Sequence, residues 1–269
     1  MGTATRRRAT CRPTPSGALD RPLTSSAAWR FSCPLGRNSL PASAGFFISE
    51  RPTMAYSVPD GSKLFISTEY DAAIPITAIS NAVTAVATAA GHGMANGKEF
   101  ILTAGWDDAN NRAYRVANTA AGTFEIEGLD TSNTARFTSG GGVPASVLPI
   151  KKWQEIQQVL NPSTSGGEAQ FAEVAPLASM NTFQIPTGFS ATSITIPIGD
   201  DPSLPGYKAT KKASEDRLLV ALKVLKPNGN VNYFYGYIAL NEVPSLTKGQ
   251  VDTVTAAMAP QGRTTRYAV

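Results

Sequence analysis

From residue 54 onward, short runs of alternating apolar and polar positions are separated by clusters of Gly, Pro, Asn and Ser. A period of two bounded by turn residues predicts strands, and many such runs predict an all-β or β-rich core. The stretch 63–67 is the first. Ile74, Ile76 and Ala78 then alternate with Pro75, Thr77 and Ile79, and a Val/Ala/Thr run continues through Val83 and Val86. Turns at Gly91-His92-Gly93 and Asn96-Gly97 precede a strand over 98–102, and two more are expected at 112–117 and 123–129. Gly140-Gly141-Gly142 closes this part. Residues 75–142 thus read as a small all-β module of about five short strands inserted after the first strand.

A second β region starts at Ile150. The runs 151–160 and 169–174 flank Asn161-Pro162-Ser163-Thr164-Ser165-Gly166-Gly167, predicting a long hairpin with a flexible tip. Residues 193–198 alternate cleanly, with Pro197 pointing to an edge or a strand end. Asp200-Asp201-Pro202-Ser203 supplies acids and a capping candidate before a helix over 204–216. Asn228-Gly229 between apolar runs at 218–225 and 231–240 predicts a hairpin, and 250–258 a last strand. The fold class expected is mainly β with one flanking helix, a sandwich or barrel with α+β character. The longest uncharged stretch, 72–97, draws most of its apolar character from alanine and contains Pro75 and Asn81, so soluble strands fit it better than a membrane helix.

Charge changes the picture. The chain of 269 residues carries a formal charge of +4, which would ordinarily suggest an anionic partner. Residues 1–53, however, hold eight arginines against Asp20 and Glu50, a net +6. The remainder has 16 basic and 18 acidic residues, a net −2, and no basic excess with which to grip phosphates. Both cysteines, Cys11 and Cys33, also lie in that first segment. The body therefore has no thiol for a disulfide, a metal or a nucleophile. An Arg- and Ser-rich segment without a strand or helix period has three readings: a transit peptide, a disordered basic arm, or an upstream frame preceding a true start at Met54. The last is the expectation. No apolar h-region follows the arginine cluster, so no signal peptide is expected.

Candidate chemistry is sparse. His92 is the sole histidine and sits between two glycines, without the partners a triad or a histidine metal site needs. Gly91–Gly97 lacks dinucleotide-loop spacing, and no Walker A or G-x-S-x-G motif occurs. Asp107-Asp108, Asp200-Asp201 and Glu215-Asp216 are sequence neighbours, whereas hydrolytic carboxylates face each other across a cleft. The reading expects no enzyme, no catalytic residue, no cofactor and no metal. Tyr233, Phe234, Tyr235 and Tyr237 lie on one strand, with the three tyrosines on one face. Stacking on bases or sugars is one reading, and core or subunit contact is the favoured one.

The segments Trp153–Leu160, Ser163–Phe171, Gln184-Ile185-Pro186, Ile198–Pro205, Asn228-Gly229, Gly236–Ser245 and the ending Arg266-Tyr267-Ala268-Val269 together resemble the tail tube proteins of long, non-contractile-tailed phages, the lambda-like family. The resemblance covers nearly all of 54–269 and none of 1–53. It implies a tail-tube-type β domain, 54–74 plus 143–269, with 75–142 as an insert similar to a small β-barrel module of phage structural proteins, in a contact or decoration role. It also implies six-membered rings stacked around a tape-measure protein, capped by terminator and baseplate proteins. Such a tube would be assembled in the host cytoplasm and carried in the virion, and DNA would pass through it unbound. Subunit contacts are expected at Trp153, Ser165, Gly166, Gly167, Phe171 and Tyr235. A heterologous stacking contact builds filaments, and edge strands joined between subunits are no longer exposed. The alternatives are another tail part, a terminator or baseplate component, a carbohydrate-binding adhesin using the tyrosine strand, and a nucleic-acid binder that depends on residues 1–53.

Overall fold

The computed structural model describes residues 59–178 and 180–268. Expectations for residues 1–53 lie outside them. The first strands are β1 (Lys63–Tyr70), β2 (Ile74–Ile76), β3 (Ala78–Ile79), β4 (Val86–Thr88), β5 (Glu99–Thr103), β6 (Arg112–Ala117), β7 (Thr123–Ile126) and β8 (Ala145–Ile156). Then come β9 (Ser163–Ser165), β10 (Ala169–Val174), β11 (Phe183–Phe189), β12 (Ser193–Gly199), helix α1 (Pro205–Glu215), β13 (Leu219–Leu225), β14 (Val231–Ser245), β15 (Thr253–Pro260) and β16 (Thr265–Tyr267). The protein is mainly β with this single helix among the described residues, as the periodicity predicts.

All but two strands join one antiparallel sheet, ordered β3-β4-β7-β6-β5-β8-β1-β13-β14-β15-β12-β9, with β2 beside β8 and β16 beside β14. The sheet curls into a half-barrel and brings β6 against β14. The twelve-residue β8 is its spine: Ala145–Pro149 pairs with β2 and β5, and Ile150–Ile156 pairs with β1.

Three apolar clusters follow from strand alternation, because successive side chains go to opposite faces. The first, around Phe100, Tyr114, Phe124 and Trp106, draws on residues 74–147. The second lies under α1 and contains Ile66, Ile196, Leu222, Ile238 and Met258. The third lines the inside of the curl, where Ile101 and Ala113 meet Ala221, Tyr233, Tyr235 and Tyr267. Tyr267 stitches that seam. Its hydroxyl donates to the Glu127 carbonyl at 2.9 Å and accepts the Arg115 N–H at 3.1 Å, and the Arg115 guanidinium covers its ring.

Helix α1 starts on Pro205, where a missing N–H costs nothing, and buries Gly206, Tyr207, Thr210 and Ala213. A Cβ on Gly206 would collide with the Glu155 carbonyl, so only glycine lets the helix sit this close to β8. The expected cap is absent: Leu204 is the N-cap and makes no side-chain bond. Ser203 is instead tied to Asp201, whose Oδ1 accepts its N–H at 3.0 Å and its hydroxyl at 2.6 Å.

Several expectations are corrected. The runs 151–160 and 169–174 do not form a hairpin. Ser163–Ser165 breaks away to pair with β12, and β10 pairs with β11, which the sequence reading did not predict. Two separate breaks cause this. β8 ends at Ile156 and Gln158 takes a left-handed φ of 55°, and Gly166 and Gly167 take left-handed φ values of 78° and 77°, turning the chain away again. Val83 is exposed and outside any strand, and β16 was not anticipated. The Asn228-Gly229 turn is as read. Gly229 has φ of 84°, Lys226 accepts its N–H at 2.9 Å, and Leu225 faces Val231 across the hairpin.

Candidate assembly surface

The strands β10 and β11 form a two-stranded sheet separate from the main one. Their register pairs Ala172 with Ile185 and Val174 with Phe183, which puts an apolar row on one face. The other face carries Phe171, Glu173, Gln184 and Pro186. Phe171, Phe183, Ile185 and Phe189 are all about half exposed or more, and at the tip Leu177 and Met180 are fully exposed. Isolated two-stranded hairpins are marginal in water, and contiguous exposed apolar surface of this kind marks interaction sites. The root is well tied. Ser190 N–H donates to the Glu168 carbonyl at 2.9 Å, Glu168 N–H donates to Ser190 Oγ at 3.0 Å, and the Arg263 guanidinium stacks on Phe189 at 5.6 Å.

The six expected contact residues divide in two. Ser165, Gly166, Gly167 and Phe171 are exposed at the hairpin root. Trp153 and Tyr235 are internal. The Trp153 indole N–H donates to the Glu99 carboxylate, and Lys223 Nζ lies 4.8 Å from its ring centre. Tyr235 keeps only 8% of its surface, and burial, with Tyr70 and Tyr237 nearby, pushes its phenol up to about 12. Tyr233 is buried further, its hydroxyl donating to Glu99. Burial and that carboxylate's charge hold its phenol far above the ordinary range. Of the tyrosine row, only Tyr237 is open to solvent, so the row is not a stacking platform. The exposed apolar surface that sequence reasoning missed is β11 and the tip. The uncharged run 174–183, with Phe183 and Ile185 alternating, was the signal available.

The polar groups singled out from the sequence are engaged locally. His92 is buried, with Nε2 2.9 Å from the Ala120 carbonyl, and Nδ1 accepting the Met94 N–H at 3.2 Å. Asp108 is bound by Arg136 and Arg263, and the Arg136 bond holds its carboxyl below the usual range. Asp201 is lowered by its bonds to Ser203. No metal-ligating cluster occurs among the described residues. No described helix is long and apolar enough to cross a membrane.

Several hollows flank the helix-side core, and two bear on assembly. One, of about 520 Å³, opens directly onto it between Leu64, Val159, Leu160, Ile194, Val224 and Phe234. The other, beside the helix C-terminus, is lined by Tyr237, Ala257, Ala259, Ser193, Ser214 and Arg217.

A family profile described as phage tail tube protein, TTP, matches residues 104–269. The chain belongs to the phage tail tube protein family. The match takes in all of β6–β16, including the unpaired hairpin. Membership makes the protein a structural component of a phage tail, a non-enzymatic role. No curated protein matches the sequence. A solved structure described as the tail of an empty GTA particle, computed with helical refinement and C6 symmetry, is similar at 15% identity and a TM-score of 0.36. The overlap covers 44% of this chain and 88% of that one.

Proposed function

We propose that this tail tube protein self-assembles into six-membered rings that stack into the conduit for DNA ejection of a long, non-contractile tail. The observation that carries the reading is the β10–β11 hairpin. It is anchored at its root, detached from the main sheet, and exposes large apolar side chains that a monomer gains nothing by showing. Both ends of the main sheet are blunted by the very short strands β3 and β9, so the longest free edges belong to the hairpin. A body at net −2 suits passage of a polyanion better than retention, since each Lys or Arg contact to phosphate adds affinity.

In this reading the rings surround a tape-measure protein and end on terminator and baseplate proteins, after assembly in the host cytoplasm. The tube domain comprises 54–74 and 143–269. Residues 75–142, which supply most of a self-contained core, serve as a contact or decoration module. Negative-stain microscopy of concentrated protein tests the proposal. Rings and extended tubes are expected, and a strictly monomeric product at high concentration overturns it. Single rings that never extend would assign the chain to a terminator-like position instead.

A further inference from the structure

We infer that the tip of one subunit's hairpin seats in the 520 Å³ groove of a second copy, the groove that opens onto the helix-side core between Leu64, Val159, Leu160, Ile194, Val224 and Phe234. The inference rests on the tube reading and names the receptor for its contact. The tip has the right chemistry: no residue from 174 to 183 carries a charge, and Leu177 and Met180 project fully into solvent. The groove is its counterpart. Leu64 and Ile194 belong to the core beneath it, Val159, Val224 and Phe234 pack on that core's fringe, and Leu160 remains about half exposed. Its floor is apolar, and its wall also carries Asp60, Asn161, Thr164 and Lys226.

Within one chain the two do not meet, since Leu177 and Met180 stay fully exposed. The groove takes Asn161 and Thr164 from the segment leading into the hairpin root, whereas six extended residues of β10 carry the tip about 20 Å from that root. A knob and a hole on the same chain that do not contact each other make a heterologous interface, which propagates unless the rotation closes it. The second hollow, lined by Tyr237, Ile238, Met258 and three alanines beside Arg217, Ser193 and Ser214, is the competing receptor, and the cross-link decides between the two.

The test uses the full chain with Cys11→Ser and Cys33→Ser, which leaves no native thiol. Leu177→Cys combined with Asn161→Cys changes two exposed positions and leaves all three cores intact. Under mild oxidation of assembled particles, this pair is expected to give a ladder of covalent oligomers on a non-reducing gel, and Leu177→Cys alone none beyond dimers. Tubes that form without such a ladder overturn the groove assignment while leaving the tube reading standing, as does a ladder from Leu177→Cys with Ala259→Cys in the second hollow. Absence of any particle overturns both.

Discussion

Lys223 Nζ and the Glu99 carboxylate meet 3.1 Å apart on the inside of the curled sheet, although 124 residues separate them in the chain. Both side chains are largely buried, and Glu99 also accepts from the Trp153 indole and the Tyr233 hydroxyl. One carboxylate on β5 therefore holds groups from β8, β13 and β14, across the seam between the 75–142 segment and the rest of the sheet. Removing one partner of a buried pair leaves an uncompensated charge and costs more than the pair itself is worth. Glu99→Ala is expected to destabilise the fold by about 3 kcal/mol, and Glu99→Gln by less, because its amide oxygen still accepts one bond. Denaturant midpoints of the two variants check the ordering.

That seam also marks where the sequence was legible and where it was not. β6, β10 and the Asn-Gly hairpin of β13 and β14 were readable because periodicity and turn chemistry are local properties. Pairing is not local. The first half of β8, with Pro149 and Pro144 nearby, showed no strand signal, yet it pairs with β5 and β2. β11 was hidden by Pro186 and Gly188, and its register with β10 accommodates a bulge there. Among the expected contact residues, the root glycines announced a surface turn. Trp153 and Tyr235 could not be assigned from sequence, since an aromatic residue suits a core and an interface equally well.

Gly166 ties the hairpin root to the chain that leaves it. Its φ of 78° is open to glycine, and a Cβ there would collide with the Ala191 carbonyl. Gly166→Ala is expected to cost about 1–3 kcal/mol of local strain, spent on reorienting the hairpin, because none of the three cores includes it. Tube formation seen by electron microscopy should fail while the melting temperature of the soluble subunit moves by only a few degrees. An unfolded product would show that the root is part of the core.

Burial raises the phenols of Tyr114 and Tyr235 to about 12, against an ordinary value of 10.0, and raises Tyr70 as well. A group that keeps its proton longer when folded stabilises the fold fully below the unfolded pKa. That stability is lost as pH climbs from there through the folded value. Stability is therefore expected to decline between pH 10 and 12, with tyrosinate absorbance rising together with loss of β-sheet circular dichroism. Ionisation of most tyrosines before any unfolding would contradict that burial.

Leu177 and Met180 touch nothing within their own subunit that would register their loss. Surface substitutions of this kind change stability by no more than about 0.5 kcal/mol. The double variant Leu177→Asp, Met180→Asp should therefore melt with the parent as a monomer. In an assembly each charge would enter an apolar site without a partner, at a cost of several kcal/mol per contact. Light scattering should then show monomers or isolated rings at concentrations where the parent forms tubes. Tubes of parental length from this variant would mean that the hairpin tip lies outside the stacking contact, and would move the search to the exposed β14–β15 tip, where Val243, Leu246 and Val251 stand in solvent.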